Sequence, residues 1–156
     1  MKNISRFVEI LAILLLVFIW GFTVFNFNQL PDIIPTHFGS NGKPDGFSSR
    51  NSIWMLPLIS LGVFSLLYFL SRNPNSVLLN LPKNIKEDPK ISALIVSLIN
   101  VVILAMIAEI TYHSFLTAFG ISEGLNIFLM TFLLITLLLI IGASLIYSWK
   151  ISKKTI

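Results

Sequence analysis

Long apolar runs separated by short polar segments dominate the hydrophobic pattern of this chain. A helix needs about 20 mostly apolar residues to cross a hydrocarbon layer of about 30 Å. Four segments meet this requirement, at about 7–27, 53–70, 91–112 and 125–149. The apolar runs do not alternate with polar residues as the strands of a β-barrel do, and backbone in lipid must close its hydrogen bonds internally. The pattern therefore predicts an all-α fold: a four-transmembrane-helix bundle that forms a single integral membrane domain over residues 1–156.

The first apolar segment also has one feature of a secretory signal peptide, because Lys2 and Arg6 precede the run. The run is long, however, and the following residues 20–23 (Trp-Gly-Phe-Thr) offer no small-x-small cleavage site. We therefore favour a retained transmembrane helix, with a signal peptide as the alternative.

Composition excludes most soluble classes of protein. The 156 residues are 55% hydrophobic and 12% charged, whereas soluble domains are about 45–50% apolar and about 25% charged. The chain contains no cysteine, which excludes a disulfide, a thiolate zinc site and a cysteine nucleophile. The length leaves room for one membrane domain without an appended soluble enzyme.

The basic residues are distributed unevenly between the predicted loops. Nine of the eleven Lys and Arg residues lie before helix 1, between helices 2 and 3, or after helix 4; only Lys43 and Arg50 lie elsewhere. Basic loops stay in the cytoplasm, so we expect cytoplasmic N- and C-termini, a cytoplasmic loop at 72–90, and outer loops at 28–52 and 113–124. The predicted location is a bacterial cell (inner) membrane, with multiple passes. The high pI then reflects topology, and no nucleic-acid partner is expected.

Several residues mark helix boundaries. Asp88-Pro89 reads as an N-cap followed by a proline at the first helical position of helix 3. Ser49 or Asn51 is a candidate cap for helix 2, and Ser122 for helix 4.

The first outer loop is rich in residues that favour turns. Pro31-Asp32, Asn41-Gly42 and Pro44-Asp45-Gly46 either preset φ or tolerate positive φ, and Asn-Gly between short runs is a hairpin signal. We therefore expect an ordered extracytoplasmic loop between helices 1 and 2 that caps the bundle, with a short hairpin as one arrangement. A plain solvated connector is the alternative.

The same loop resembles a known family. Pro35-x-His37-Phe38, then Gly42-x-Pro44-Asp45-Gly46, then Ser49-Arg50 is similar to the signature of the DUF1648 family, in which Lys is more usual than Arg at the last position. The 72–90 loop supports the resemblance with Arg72-Asn-Pro and Asn80-Leu-Pro. The family includes the N-terminal half of SdpI-type immunity proteins, which are longer and protect against a sporulation-delaying toxin. The resemblance therefore implies a small membrane protein and, through that relative, an immunity-like role.

The candidate site residues lie at the predicted outer end of the bundle. Glu109 and His113 are four residues apart and share one face of helix 3. An acid within the hydrocarbon usually faces the bundle interior and has a partner. The remaining ligand-binding or structural residues of the cap come from the first outer loop: Asp32, His37, Asp45 and Arg50.

Three roles are open for Glu109 and His113. In the first, Glu109 hydrogen-bonds His113 or the loop backbone and fastens the cap to the bundle. In the second, His37, Glu109 and His113 converge on a metal ion, with zinc as the candidate because it takes nitrogen and oxygen ligands. In the third, the pair is a protonatable site for the passage of an ion or substrate.

No complete catalytic motif is present, so we do not expect an enzyme, and beyond the zinc candidate we expect no cofactor. The leading hypothesis is a small membrane protein that recognises or senses a peptide or protein ligand through its outer loop, in a toxin-immunity-like manner. The alternatives are a metal-binding membrane protein, a transporter component and an accessory subunit. The expected partners are the lipid bilayer, that outer ligand and a second copy in a homo-oligomer.

Overall fold

A computed structural model of the chain describes residues 2–154. Its regular elements are five α-helices and one two-stranded sheet, with two short 3-10 helices between them: α1 Lys2–Asn26, β1 Ile33–Phe38, β2 Pro44–Ser49, α2 Met55–Arg72, α3 Lys83–Lys86, α4 Pro89–Ala118 and α5 Ile127–Lys154. Helices α1, α2, α4 and α5 are long and apolar enough to span a membrane. The chain therefore has the architecture of a multi-pass membrane protein, as the hydrophobic pattern predicts.

Helix α4 is the centre of the bundle and packs against α1, α2 and α5. Its polar side chains Ser97, Asn100 and Thr111 are all buried. Asn100 Nδ2 donates to the Phe64 backbone oxygen of α2 at 3.5 Å, so one of these polar groups links two helices directly. Helix α4 is thus the most buried of the four spanning helices, and these polar side chains lie inside the bundle.

Helix α5 is peripheral by comparison. Only 6% of its most apolar stretch is buried inside the protein, against 44% for α4. Its exposed side chains are large and apolar, for example Phe128, Leu139 and Trp149, which is the surface that lipid tails solvate.

Local sequence explains the start of α4. Asp88 Oδ1 accepts hydrogen bonds from the backbone nitrogens of Lys90 at 2.9 Å and Ile91 at 3.2 Å, and Pro89 occupies the first turn. The predicted N-cap is therefore confirmed. Ser49 caps the 3-10 turn Arg50–Trp54, which leads into α2.

The two ends of the bundle carry different connections. The hairpin β1–β2 and the α4–α5 connector (residues 119–126) meet at one end, the hairpin end, where Leu125 N donates to Gly42 O at 2.9 Å. The beginning of α1, the loop at 73–88 and the last turns of α5 lie at the opposite end, the terminal end. There Arg72 pairs with Glu9, and Ser148 Oγ of α5 donates to Asn84 Oδ1 of α3 at 2.7 Å.

Candidate functional site

The hairpin end of the bundle is closed by a cap, formed by the hairpin (residues 33–49), its flanking turns and the α4–α5 connector. Strands β1 and β2 pair antiparallel from Ile33 opposite Ser49 to Phe38 opposite Pro44, with irregular register around His37. Gly39 N donates to Lys43 O, and Gly42 N to Gly39 O, each at 2.9 Å. Gly42 has a φ of 75°, a conformation that glycine adopts without strain. The Asn-Gly signal therefore corresponds to a real hairpin turn.

An apolar cluster attaches the hairpin to the bundle. Ile34 of β1 and Phe115 of α4 are both fully buried, and Leu30 and Ile53 from the two flanks of the hairpin join them. Burying a side chain of this size stabilises a fold by about 1.5–3 kcal/mol. The hairpin is therefore a packed part of the domain, and the alternative of a plain solvated connector is wrong.

His37 and Asp45 form a pair on the exposed side of the hairpin. His37 Nδ1 is in direct contact with Asp45 Oδ1, and the two side chains are 73% and 55% exposed. Two glycines make room for this pair. A Cβ on Gly46 would lie 2.9 Å from His37 Cβ, and a Cβ on Gly39 would lie 3.0 Å from Asp45 Oδ2. Gly39 and Gly46 thus let the hairpin backbone lie close to the paired imidazole and carboxylate, which solvent can reach.

Two large apolar side chains, Ile33 of β1 and Phe47 of β2, are each 61% exposed on the same hairpin. The hairpin therefore presents both an ionisable pair and apolar surface.

Arg50 has a structural position at the base of the hairpin. Its Nη1 donates to Leu30 O at 3.4 Å, and its guanidinium carbon lies 5.8 Å from the centre of the Phe27 ring. Its Nε is 3.9 Å from Asp32 Oδ1, but the Asp32 side chain is 93% exposed. The ion pair therefore contributes little, and the stacking and the carbonyl contact fix the guanidinium.

The hairpin turn docks on the α4–α5 connector. In addition to the hydrogen bond between Leu125 and Gly42, the two backbones approach so closely that a Cβ on Gly124 would lie 2.1 Å from Gly42 O. Lys43 Nζ lies 3.3 Å from Glu123 Oε2, with both side chains largely exposed. The glycine contact is the specific part of this interface.

Glu109 binds the α4–α5 connector from inside the bundle. Its side chain is only 5% exposed, and its Oε1 accepts a hydrogen bond from the backbone nitrogen of Asn126 at 3.1 Å. His113 Nδ1 lies 2.9 Å from the same oxygen, but outside hydrogen-bond geometry. The contact between the two side chains is thus electrostatic and attractive when the imidazole is protonated. These are the contacts that the structural interpretation of Glu109 predicts.

The two histidines do not share a site. His37 is paired with Asp45 in the hairpin, and His113 with Glu109 in the bundle. Within residues 2–154, no group of three or more His, Asp or Glu side chains is placed to hold a metal ion. The predicted convergence of His37, Glu109 and His113 on zinc is therefore wrong for this structure, because the hairpin places the first imidazole on its exposed side.

Two residues of the cap are missing from the sequence interpretation, Gly124 and Asn126, and Gly42 appears there as a turn signal without its contact to Gly124. The N-cap residue of α5 is Asn126, whose Oδ1 accepts a hydrogen bond from Leu129 N at 3.1 Å. Ser122 does not cap that helix; it forms a local turn with Gly124. An asparagine directly before the apolar run is a usable N-cap signal, whereas the contact between the two glycines joins distant segments and has no local signature.

Comparison with known proteins supports the resemblance seen in the loop. Residues 14–61 match the family model described as Domain of unknown function (DUF1648). A segment of 49 residues is 37% identical to a protein of Archaeoglobus fulgidus described as "Uncharacterized protein", covering 31% of this chain and 27% of that relative. The match thus spans about a quarter of the relative's length. No solved structure matches the chain. Residues 14–61, which include the hairpin and parts of the two helices beside it, are therefore similar to the DUF1648 family.

Proposed function

We propose that this chain is a non-enzymatic membrane protein whose cap recognises a ligand outside the cytoplasm. The observation that carries the proposal is the exposed His37–Asp45 pair on a hairpin that is firmly docked. An ion pair with a purely structural role could equally well be buried. A plain solvated connector would not need to pack against the bundle. Exposed polar groups on a rigid support are typical of binding sites.

The proposal includes an orientation. Lys43 and Arg50 are the two basic residues between α1 and α2, and the other nine lie towards the terminal end. The positive-inside rule then puts the termini in the cytoplasm and the cap on the opposite side of the membrane. A bacterial inner membrane is the proposed location.

The chemistry of the hairpin favours a peptide as the ligand. Asp45 offers a carboxylate to a basic group, Phe47 offers apolar area two residues along the same strand, and Ile33 adds apolar area at the base of the hairpin. A peptide with a basic residue next to an apolar one would satisfy both features. Membrane-active amphipathic peptides combine basic and apolar residues, so immunity of the SdpI type is the specific version that we propose.

Protection of a susceptible cell tests this function. Sensitive bacteria expressing the chain would be exposed to a sporulation-delaying-type peptide toxin, alongside cells expressing D45N, H37A and, as a matched control on the same hairpin, S48A. We expect wild type and S48A to raise the inhibitory concentration. D45N should lose at least about tenfold of that protection, because a hydrogen bond to a charged group contributes about 1.5–3 kcal/mol. Unchanged susceptibility of cells that carry the wild-type chain in their membrane would contradict the proposal.

A further inference from the structure

A polar pocket of about 510 Å³ lies at the terminal end of the bundle, far from the cap. It is bounded by the first turns of α1, the last turn of α2 and the first turn of α4, and its charged lining residues are Arg6, Glu9, Arg72 and Lys90. Its volume falls within the range of about 300–1,000 Å³ that small-ligand sites occupy. Three spanning helices thus meet around a polar space at one end of the bundle.

The pocket has an excess of positive charge. Arg72 Nη2 lies 2.8 Å from Glu9 Oε2, so this pair is neutral. Neither Arg6 nor Lys90 has an acidic partner within the part of the chain that the structure describes. Asp88 is near in sequence, but its Oδ1 is occupied by the N-cap of α4. Two cations therefore remain for an anion.

The Glu9–Arg72 pair positions the guanidinium at the pocket. The Glu9 side chain is only 17% exposed, and on the other side the Arg72 guanidinium carbon lies 5.1 Å from the centre of the Tyr68 ring. A guanidinium that is held on two sides loses little freedom when it binds an oxyanion, and its planar fork suits phosphate.

We propose that this pocket binds the phosphate of an anionic phospholipid headgroup. Basic pockets between transmembrane helices near the membrane surface are suited to such headgroups. The surfaces of the adjoining helices continue into the membrane with large apolar side chains, including Ile10 and Ile13 of α1 and Leu66 and Phe69 of α2. A lipid whose phosphate sits at the pocket can lay its acyl chains along these surfaces, which a free phosphate cannot do.

Lipid retention measured by native mass spectrometry tests the site. The full chain would be reconstituted into nanodiscs of phosphatidylcholine doped with phosphatidylglycerol. The phosphatidylglycerol that stays bound to the released protein would then be compared between wild type and R6Q/K90Q. The matched control is K83Q/K150Q, which removes two exposed lysines from α3 and α5 at the same end. Each basic residue near an anionic lipid contributes about fivefold, so we expect R6Q/K90Q to retain about 25-fold less phosphatidylglycerol and the control to behave as wild type.

Two further arms make the result decisive. The single variant K90Q alters one exposed side chain and should lose about fivefold, which keeps the test valid if the double variant folds poorly. Inorganic phosphate is the second probe. If phosphate alone displaces phosphatidylglycerol at millimolar concentration, the occupant is a free anion and the lipid proposal is overturned. Equal retention by wild type, K90Q and R6Q/K90Q would overturn it as well.

Discussion

Glu109 Oε1 and the backbone nitrogen of Asn126 are joined by a hydrogen bond of 3.1 Å across 17 residues of chain. The next amide back along the chain, Leu125 N, donates to Gly42 O of the hairpin. The adjacent backbone amides of Leu125 and Asn126 therefore bind the hairpin turn and the interior of the bundle, respectively. Through these two amides, the buried carboxyl group of Glu109 supports a hairpin with which it shares no direct hydrogen bond in the described structure.

Removal of the Glu109 carboxylate should loosen the cap. In E109A, the Asn126 amide loses its acceptor, and leaving a buried donor without an acceptor costs about 1–3 kcal/mol. E109Q keeps an oxygen in the same place and should cost less. Thermal unfolding in detergent measures the ranking, and hydrogen exchange locates the loss. If the amides of residues 119–126 exchange as slowly in E109A as in wild type, the assigned contact is contradicted.

The E123Q variant is the natural control for Glu109. Glu123 is an acid of the same connector, but its side chain is 88% exposed and its pair with Lys43 is on the surface. Such pairs contribute about 0–1 kcal/mol. We expect E123Q to unfold within about 1 kcal/mol of wild type, so that any larger loss in E109A reflects burial and not the loss of charge alone.

Gly124 should tolerate no side chain. In G124A, the new Cβ would lie 2.1 Å from Gly42 O, and the two backbones would have to separate. The expected outcome is faster proteolysis of the hairpin turn at residues 39–43. G62A is the matched control, because a Cβ on this helical glycine meets nothing within 4 Å and alanine favours helix by about 1 kcal/mol. Equal protease resistance of G124A and wild type would show that the glycine contact is dispensable.

Asn126 should affect α5 and not the cap attachment. N126A removes the side-chain oxygen that accepts from Leu129 N, and loss of an N-cap costs about 1 kcal/mol. The backbone nitrogen that Glu109 binds is still present in the variant. Hydrogen exchange should therefore increase at the first turn of α5, and N126D, which keeps a capping oxygen, should restore protection. Failure of N126D to do so would argue against a capping role.

The fold was predictable from the sequence because lipid imposes a simple rule. A segment such as 91–112 must be helical when no water is available to its backbone, and Asp88-Pro89 marks its start by local chemistry. The hairpin was signalled in the same local way by Asn41-Gly42. What sequence could not show was which distant segments meet. His37 and His113 lie at the same end of the bundle, yet the docking of Ile34 against Phe115 leaves the first imidazole on the exposed side.

The orientation of the bundle can be tested directly because the chain has no native cysteine. Single variants S40C in the hairpin turn and N75C in the loop after α2 place one thiol at each end, and both positions are exposed. S65C, exposed on the lipid-facing part of α2, is the control. A membrane-impermeant maleimide should label S40C in intact cells, N75C only after permeabilisation, and S65C in neither case.

This labelling pattern follows from charge alone. Each lysine or arginine near the inner surface of a membrane gains about 1 kcal/mol from anionic lipids, and nine such residues flank the terminal end against two in the hairpin loop. Labelling of N75C in intact cells, with S40C protected, would invert the bundle. The cap would then face the cytoplasm, and the exposed His37–Asp45 pair could not meet a ligand that arrives from outside.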